Sequence, residues 1–399
     1  MKFNNRHLLI SLHIKNLKSL SKAANAVHLT QSALTQGIKK LEDELNQPLF
    51  VRSHSGMTPT PSGLFFLNRV ERAFEYLDEF SRIIFNSRNK QDGFNRSVTS
   101  KQLEALINLV QMKSYTAAAN KLNLSQPTLH RSIKDLEQLC QKELAVRSPT
   151  GIEPTWTANL LNRFAKLFFS ELRQGIYEMR EFNGQMDGSL KVGSLPLARS
   201  AIVPLSIIAL NNEFPDAQLS IIDGPYQEQL ANLLHGEIDI IVGALRIPVQ
   251  HSDIEQIPLF KDQLCIVVNA QHPLASRQTI STKELQQLEW VAPNKSTPAW
   301  QVFSSIFVSR GLPPPNHVIE CSSQVAVRGI LLNSSRAALL PAKQVEVEVQ
   351  SGILAICPMT LPDTDRSIGL TIRKDWQPTQ MQSRFLTIIK NHTRTLQSS

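Results

Sequence analysis

The sequence predicts folded units of two kinds: a small, mainly helical domain present twice, and a larger α/β domain after it. Three observations carry that expectation: an internal repeat, an uneven distribution of charge, and a switch near Gly188 from helical to alternating strand and helix patterning. The chain has 399 residues, enough for two or three domains that each bury a core. With 42% hydrophobic and 19% charged residues, it has the composition of a folded protein, which excludes wholesale disorder and a coiled-coil rod.

The four cysteines, Cys140, Cys265, Cys321 and Cys357, are widely spaced and form no CxxC pair. Neither a disulfide framework nor a zinc knuckle follows from such spacing, and no metal or cofactor is expected. The N-terminal stretch MKFNNRHLLISLHIKNLKSL interrupts its apolar residues with His and Lys, unlike a signal peptide. No run approaches the roughly 18 uninterrupted apolar residues of a spanning helix, so a cytoplasmic protein without a membrane partner is expected.

The net charge of +8 lies in the N-terminal half: residues 1–90 carry +6, residues 91–187 carry +2, and residues 188–399 are neutral. Such asymmetry points to a polyanion-binding module joined to a neutral module with another task.

Residues 18–60 and 113–155 align without a gap at an offset of 95, with about nineteen identities in forty-three positions. Ala23/Ala118, Ala24/Ala119, Asn25/Asn120, Gln31/Gln126, Ile38/Ile133, Glu42/Glu137 and Arg52/Arg147 are among them. Two copies are too few for a solenoid, so a duplicated small domain is expected. Each copy reads as helix, turn, helix and wing. Ser19 and Ser114 are N-cap residues for a short Ala-rich helix, and Thr30 and Ser125 cap the next. In that second helix Leu34, Ile38, Leu41 and Leu45 share a face, matched by Leu129, Ile133, Leu136 and Cys140. The opposite face holds Gln31, Ser32, Thr35, Gln36 and Lys39 in the first copy and Gln126, Thr128, His130, Arg131 and Lys134 in the second. Amides, hydroxyls and cations on one helix face are the groups that read base edges and phosphates in a major groove. A small helical bundle that binds protein is the alternative. The following segment, Leu49, Phe50, Arg52 and SGMTPTPSG, reads as a wing, with Arg52 and His54 beside the phosphate backbone. Arg147 is the counterpart of Arg52.

The run SLSKAANAVHLTQSALTQGIKKLEDELNQPLFVRSHSGMTPTPSG resembles the winged helix-turn-helix of LysR-type transcriptional regulators. The resemblance rests on the Ala-Ala pair, the Thr-Gln-Ser helix start, the Ile-x-x-Leu-Glu stretch and the Leu-Phe-x-Arg wing. Asn46 stands where that family has Gly, and Asn tolerates the left-handed cap. The second copy departs further: Ala145 replaces the wing Phe, Asp135 a Lys, and Ala158 the Gly after the wing. A packed Phe changed to Ala leaves a gap that neighbours must fill, so a differently packed second wing is expected. Pro127 falls in the first turn, where its missing N–H has no partner to lose. Two readings of the second copy stand: contact with DNA, or an architectural and dimer-forming role.

After each wing comes an apolar stripe at helical spacing, Leu67, Val70, Phe74, Leu77 and Ile84, then Leu160, Phe164, Leu167, Leu172, Ile176 and Met179. The resemblance implies that the helix after the wing is a linker that pairs two subunits, giving a homodimer or homotetramer. The polar stretch from Ser87 to Ser100 is the natural boundary between copies. The expected organisation is therefore 1–63 winged helix-turn-helix, 64–97 linker helix, 98–157 second winged helix-turn-helix, 158–187 linker helix, and 188–399 effector domain.

From Gly188 strands are expected at Leu190 to Gly193, Leu219 to Ile222, Ile238 to Gly243, Leu264 to Val268, Trp290 to Val291, Ala337 to Leu340 and Ile368 to Ile372. Helices between them predict a two-lobed α/β domain with a mainly parallel sheet. GSLKVGSLPLARSAIVP, EFPDAQLSIIDG, LLHGEIDIIVGALR, PLFKDQLCIVVNAQHPLA and SSRAALLPAKQV look similar to the effector-binding domain of the same family, a type II periplasmic-binding-protein-like fold. GSLPLAR, GPYQEQL and GALR look similar to regulators of sugar uptake and aromatic-acid breakdown, which implies a sugar, sugar acid or aromatic acid as the small-molecule effector.

In open α/β folds a ligand sits beyond the carboxyl ends of strands. Arg199 and Ser200, Tyr226, Arg246, Ser296 and Thr297, and Ser322 and Ser323 fall at such ends and are the candidate effector residues. For each there is a plainer role: a helix cap for the hydroxyls and a surface ion pair for the arginines. GxSxG, HExxH, Walker-type and GxGxxG signatures are absent, and His235 and His272 have no obvious companion, so an enzyme is not expected. Two alternatives remain, a redox-sensing transcription factor using Cys265 and Cys321 and a small-molecule-binding protein without DNA function; a transport receptor would share the fold of the C-terminal half but would need export, for which no signal is read. The expected function is a transcriptional regulator that binds double-stranded DNA under small-molecule control, with closure of the two lobes changing subunit packing.

Overall fold

In a computed structural model, which describes all residues except 1–2, 54–55, 150, 201, 359–360, 362–363 and 399 and the side chains of 53 and 395–398, the sequence repeat is a structural repeat. The first copy runs α1 (Asn5–Leu17), α2 (Leu20–Ala26), α3 (Gln31–Leu45), β1 (Phe50–Ser53), β2 (Gly56–Pro59) and α4 (Pro61–Ile84). After α5 (Arg88–Ser97) come α6 (Ser100–Met112), α7 (Tyr115–Lys121), α8 (Gln126–Cys140), β3 (Ala145–Ser148), β4 (Gly151–Pro154) and α9 (Trp156–Phe182). Every start is displaced by 95. The repeat therefore begins at Asn5, upstream of the aligned sequences, and the linker helices start at Pro61 and Trp156 on their Thr60 and Thr155 caps.

The caps explain why these segments break where they do. Thr30 accepts from Ala33 N–H at 3.2 Å and Ser125 from Thr128 N–H at 3.3 Å. Asn46 and its counterpart Gln141 end α3 and α8 with left-handed φ of 52° each. At the wing turns Gly56 and Gly151 have φ of 130° and 129°, and a Cβ on Gly56 would lie 2.3 Å from the Lys18 carbonyl oxygen.

The second wing is not rebuilt by its Ala. Ala145 pairs with Pro154 as Phe50 pairs with Pro59, and Glu137 accepts from Leu144 N–H at 2.9 Å as Glu42 accepts from Leu49 N–H at 2.7 Å. Backbone pairing and the buried carboxylate hold the strand, so the lost ring thins the packing without moving the hairpin. Ala158 is buried where Gly63 stands in the first copy.

Two expectations about the linker are corrected. The linker helix does not run on to residue 97: it ends at Ile84, and the boundary stretch from Ser87 to Ser100 holds a separate α5, in which Phe94 is buried between Phe80 and Phe85, with ring centroids 5.2 and 6.0 Å away. Nor does the linker helix wait for a second subunit. Helices α4 and α9 pair antiparallel inside one chain through Phe65 and Phe182, Phe74 and Phe168 (5.4 Å), and Phe80 and Phe164. Duplication puts two matching apolar stripes on one polypeptide, and closing them intramolecularly takes little additional entropy.

The larger domain comprises β5 (Ser189–Ser194), α10 (Pro196–Ser200), α11 (Ile202–Glu213), β6 (Gln218–Asp223), α12 (Tyr226–Leu234), β7 (Ile240–Ala244) and β8 (Ile254–Asn269). It continues through α13 (Thr282–Gln287), β9 (Trp290–Ala292), α14 (Pro298–Val308), β10 (Val318–Glu320), α15 (Gln324–Leu332), β11 (Ala337–Pro341), α16 (Glu346–Gln350), β12 (Leu354–Ile356), β13 (Asp365–Arg373) and α17 (Gln380–Ser398). Strand order is β10-β9-β11-β8-β13-β7-β5-β6, with β12 on β8.

The sheet is mixed, not mainly parallel. Strands β5, β6 and β7 are parallel in one lobe and β9, β10 and β11 in the other, while β8 and β13 pair antiparallel to their neighbours. Strand β8 is long because it serves both lobes: residues 254–263 pair with β13 and residues 264–269 with β11 and β12. At this crossing Arg366 donates to the Asp262 carboxylate at 2.6 Å, and both side chains are nearly buried.

Replacing Phe168 by Ala removes a buried ring from the α4–α9 seam and is expected to lower unfolding free energy by about 3–5 kcal/mol, read by chemical denaturation. A change below about 1 kcal/mol would show that the seam does not hold the two copies together.

Candidate functional site

Helices α3 and α8 turn their apolar sides inward and leave the polar sides to solvent. Leu34, Ile38 and Leu41 are buried, as are Leu129, Ile133 and Leu136, whereas Gln31, Ser32, Gln36 and Lys39 are exposed and Thr35 is half-buried. Gln126, Thr128, His130, Arg131 and Lys134 are likewise exposed, and Arg52 and Arg147 stand exposed on the wing strands. His54 lies outside the described residues.

The second face is more constrained by its own chain. Thr116 donates to Gln126 Oε1 at 3.3 Å, Thr128 pairs with the Ser125 hydroxyl at 2.7 Å, and the Tyr115 ring lies 5.2 Å from His130. Lys134 Nζ donates to Glu137 at 2.6 Å, and that hydrogen bond and charge raise the lysine above its ordinary value. In the first copy Glu42 spends both its contacts on Leu49 and Phe50 N–H, and Lys39 makes no ion pair among the described residues. Two exposed cationic faces of this kind can contact phosphates and base edges.

The candidate effector residues all lie at carboxyl ends of parallel strands, as expected: Arg199 and Ser200 after β5, Tyr226 after β6, Arg246 after β7, Ser296 and Thr297 after β9, and Ser322 and Ser323 after β10. The turn Ala342–Gln344 after β11 packs on α10, so the two lobes face each other at these ends. Their side chains are unequally available. Arg199 donates to the Ser194 carbonyl at 3.1 Å and pairs with Asp223 at 3.3 Å. Thr297 and Ser323 cap α14 and α15, and Ser296 hydrogen-bonds to Asn294 Oδ1 at 2.6 Å. Ser200 and Ser322 are exposed.

Arg246 covers the Tyr226 ring, with its guanidinium carbon 4.5 Å from the centroid. Burial raises the Tyr226 hydroxyl above its ordinary value and lowers the half-buried Arg246. Sequence reasoning missed Ser194. Its hydroxyl is fully buried at the end of β5 with no hydrogen-bond partner, a state that invites a ligand group. Its place in GSLP, just past the strand, was the available signal.

Three of the four thiols are poorly placed for redox sensing. Cys265 donates to the Leu340 carbonyl at 3.2 Å, and burial pushes it up to about 12, Cys140 up to about 12 and Cys357 up to about 11. Among the described residues no His, Cys, Asp or Glu cluster could hold a metal ion, and no helix is long and apolar enough to cross a membrane.

Residues 183–394 match the family described as LysR substrate binding domain, and residues 5–64 and 100–159 each match the bacterial regulatory helix-turn-helix protein, lysR family. A relative, the HTH-type transcriptional regulator GalR of Pseudomonas putida, is 29% identical over 362 residues, covering 91% of this chain and 90% of that protein. The HTH-type transcriptional regulator PcaQ of Agrobacterium fabrum is 26% identical over 74% of this chain and 95% of its own. Among solved structures, a full-length OxyR variant from Pseudomonas aeruginosa has a TM-score of 0.56 at 22% identity, covering 74% of this chain and 95% of that one. CbnR, a LysR family transcriptional regulator, gives 0.55 at 19%, covering 74% and 99%. Both cover three quarters of this chain and almost all of their own, and the quarter left over has the size of one repeat.

A small alkylating reagent applied to the native protein at neutral pH is expected to label half-exposed Cys321 first, with Cys140 and Cys265 modified only after denaturation. Mass mapping of the labelled peptides reads this, and rapid native labelling of Cys265 would overturn the account of its burial.

Proposed function

Because the chain belongs to the LysR family of transcriptional regulators, we propose that it reads double-stranded DNA with both α3 and α8 and answers to a small molecule held between the lobes of its effector domain. The observation that supports the DNA reading best is the pair of equivalent helices whose amide- and cation-bearing faces are left to solvent. Gln31, Ser32, Thr35, Gln36, Lys39 and Arg52 form the first reader. Gln126, Thr128, His130, Arg131, Lys134 and Arg147 form the second. The structure of CbnR in complex with its target DNA, which shares this fold at a TM-score of 0.54, adds support.

Ser194, Tyr226 and Arg246 are the anchors of the proposed effector site, with Arg199, Ser200, Ser296, Thr297, Ser322 and Ser323 around its rim. A hydroxyl without a partner and two guanidinium groups suit a small polar metabolite: a sugar, a sugar acid or an aromatic acid. Lobe closure on that molecule shifts the population of assemblies able to hold DNA, and no catalytic step is involved. Since α4 and α9 already cover each other, self-association falls to the effector domain, where Leu205 and Ile208 on α11 and Ile221 on β6 are exposed. Such a regulator acts in the cytoplasm.

Titration of genomic DNA fragments tests the reading. Ala at Gln31 and Lys39, or at Gln126 and Lys134, is expected to weaken specific binding by about tenfold or more in either pair. If only the first pair matters, the second copy is architectural, and wild-type protein that binds no fragment specifically would sink the regulator reading. Ser194→Val is expected to abolish the effector's influence on DNA binding while leaving effector-free binding unchanged.

A further inference from the structure

The intramolecular pairing of α4 and α9 has a symmetry of its own. The two helices run antiparallel, and their contacts recur when residues are exchanged by the offset of 95. Phe80 packs on Phe164, and the exchanged pair, Arg69 and Gly175, also meets, with a Cβ on Gly175 only 3.0 Å from Arg69 Cβ. The crossing falls at Phe74 and Phe168, beside Phe169, the counterpart of Phe74. At the base of the head, the Ser100 hydroxyl hydrogen-bonds to Asn5 Oδ1, and these two residues are equivalents that begin α6 and α1. Equivalent groups of two antiparallel copies meet where a two-fold axis passes. The head of one chain is therefore a pseudo-two-fold pair of winged helix-turn-helix units, the symmetry of a DNA duplex with two half-sites.

Its readers are unlike. Gln31 matches Gln126 and Lys39 matches Lys134, but Ser32, Thr35 and Gln36 are replaced by Pro127, His130 and Arg131. Gln pairs in the major groove with adenine and Arg with guanine, so the two copies ask for different bases at one equivalent position. His130 is also held against Tyr115, where the first copy has Leu20.

We propose that a single chain binds both half-sites of one operator, that the half-sites differ in sequence, and that the chain therefore sits on DNA in one orientation. The proposal rests on the DNA reading above. Pseudo-symmetry is broken on the protein side too: Arg69 and Tyr76, which hold the effector domain, have Phe164 and Glu171 as counterparts. A chain bound one way round carries its effector domain on a fixed side of the operator.

Selection of binding sites from random duplex DNA by the full chain, followed by titration of the selected duplex, tests this. The expected consensus has two unlike halves, and saturation is expected at one duplex per chain. Arg131→Ala should weaken binding roughly 10- to 100-fold on that duplex and have no effect once the guanine in the second half is changed. Gln36→Arg should move the selected base in the first half from adenine to guanine, so that the consensus becomes more nearly palindromic. Identical halves in the wild-type consensus, or saturation at one duplex per two chains, would overturn the proposal while leaving DNA binding intact. Failure of the wild type to enrich any sequence would remove the proposed function and this inference together.

Discussion

The antiparallel contact between α4 and α9 is the constraint on which the rest depends. It decides how the two copies face each other, where the effector domain rests, and which apolar surface remains for a second chain. Its aromatic seam, Phe74, Phe80, Phe164 and Phe168, is buried, and each ring contributes on the order of 2–3 kcal/mol relative to exposure. Gly175 allows the close approach, since any side chain there would meet Arg69 and Phe66 at 3.0 Å.

Charge enters this seam at one side only. Arg69 is nearly buried and donates to Glu171 at 2.8 Å, to both oxygens of Glu178, and to the Gln377 carbonyl at 2.9 Å. Burial alone would lower its affinity for a proton, but the hydrogen bond to Glu178 and the two carboxylate charges outweigh it and hold the group above its ordinary value. A buried ion pair of this sort adds little net stability and much specificity when its other lone pairs are satisfied. Here it fixes which face of the helix pair receives the effector domain. The two-fold equivalent of Arg69 with Glu171 is Phe164 with Tyr76, so the opposite face has no such knot.

Much of this was legible in the residues, for reasons of spacing. Leu34, Ile38 and Leu41 recur with the helical period, so their burial and the exposure of Gln36 and Lys39 follow from one pattern. Gly56 and Gly151 marked the wing turns because no other residue accepts that backbone beside a carbonyl. Helices α1 and α6 were not seen as a repeat because a shared fold there needs only a shared apolar face, not shared residues. The break before α5 was hidden by its polarity: Phe94 and Asn95, which donates to Asp78, are the residues that carry it into the core. The mixed sheet escaped because strand direction is not written in apolar runs: β8 and β13 are antiparallel since the chain must enter one lobe and return. In the cleft, spacing placed the candidates at the right edge but could not show that Arg199 is bound to Asp223 or that the Ser194 hydroxyl is left without a partner.

The contacts between head and effector domain constrain how a signal can pass. Arg69 and Arg72 donate to the Gln377 and Asp375 carbonyls, Tyr76 hydrogen-bonds to the Asp375 carboxylate, Arg163 pairs with Asp253 at 2.6 Å, and Lys166 pairs with Glu237. All of these partners belong to the lobe built on β5, β6 and β7. The other lobe is joined to it across β8 and the Asp262–Arg366 pair and has none of these contacts with the head, so it is the lobe that the proposed closure would move. Closure therefore leaves the relative placement of α3 and α8 within one chain unchanged, because both are fixed by the α4–α9 seam. In the function proposed above, an effector would alter DNA occupancy by changing how two copies associate through their effector domains, with the two readers of each chain carried as one unit.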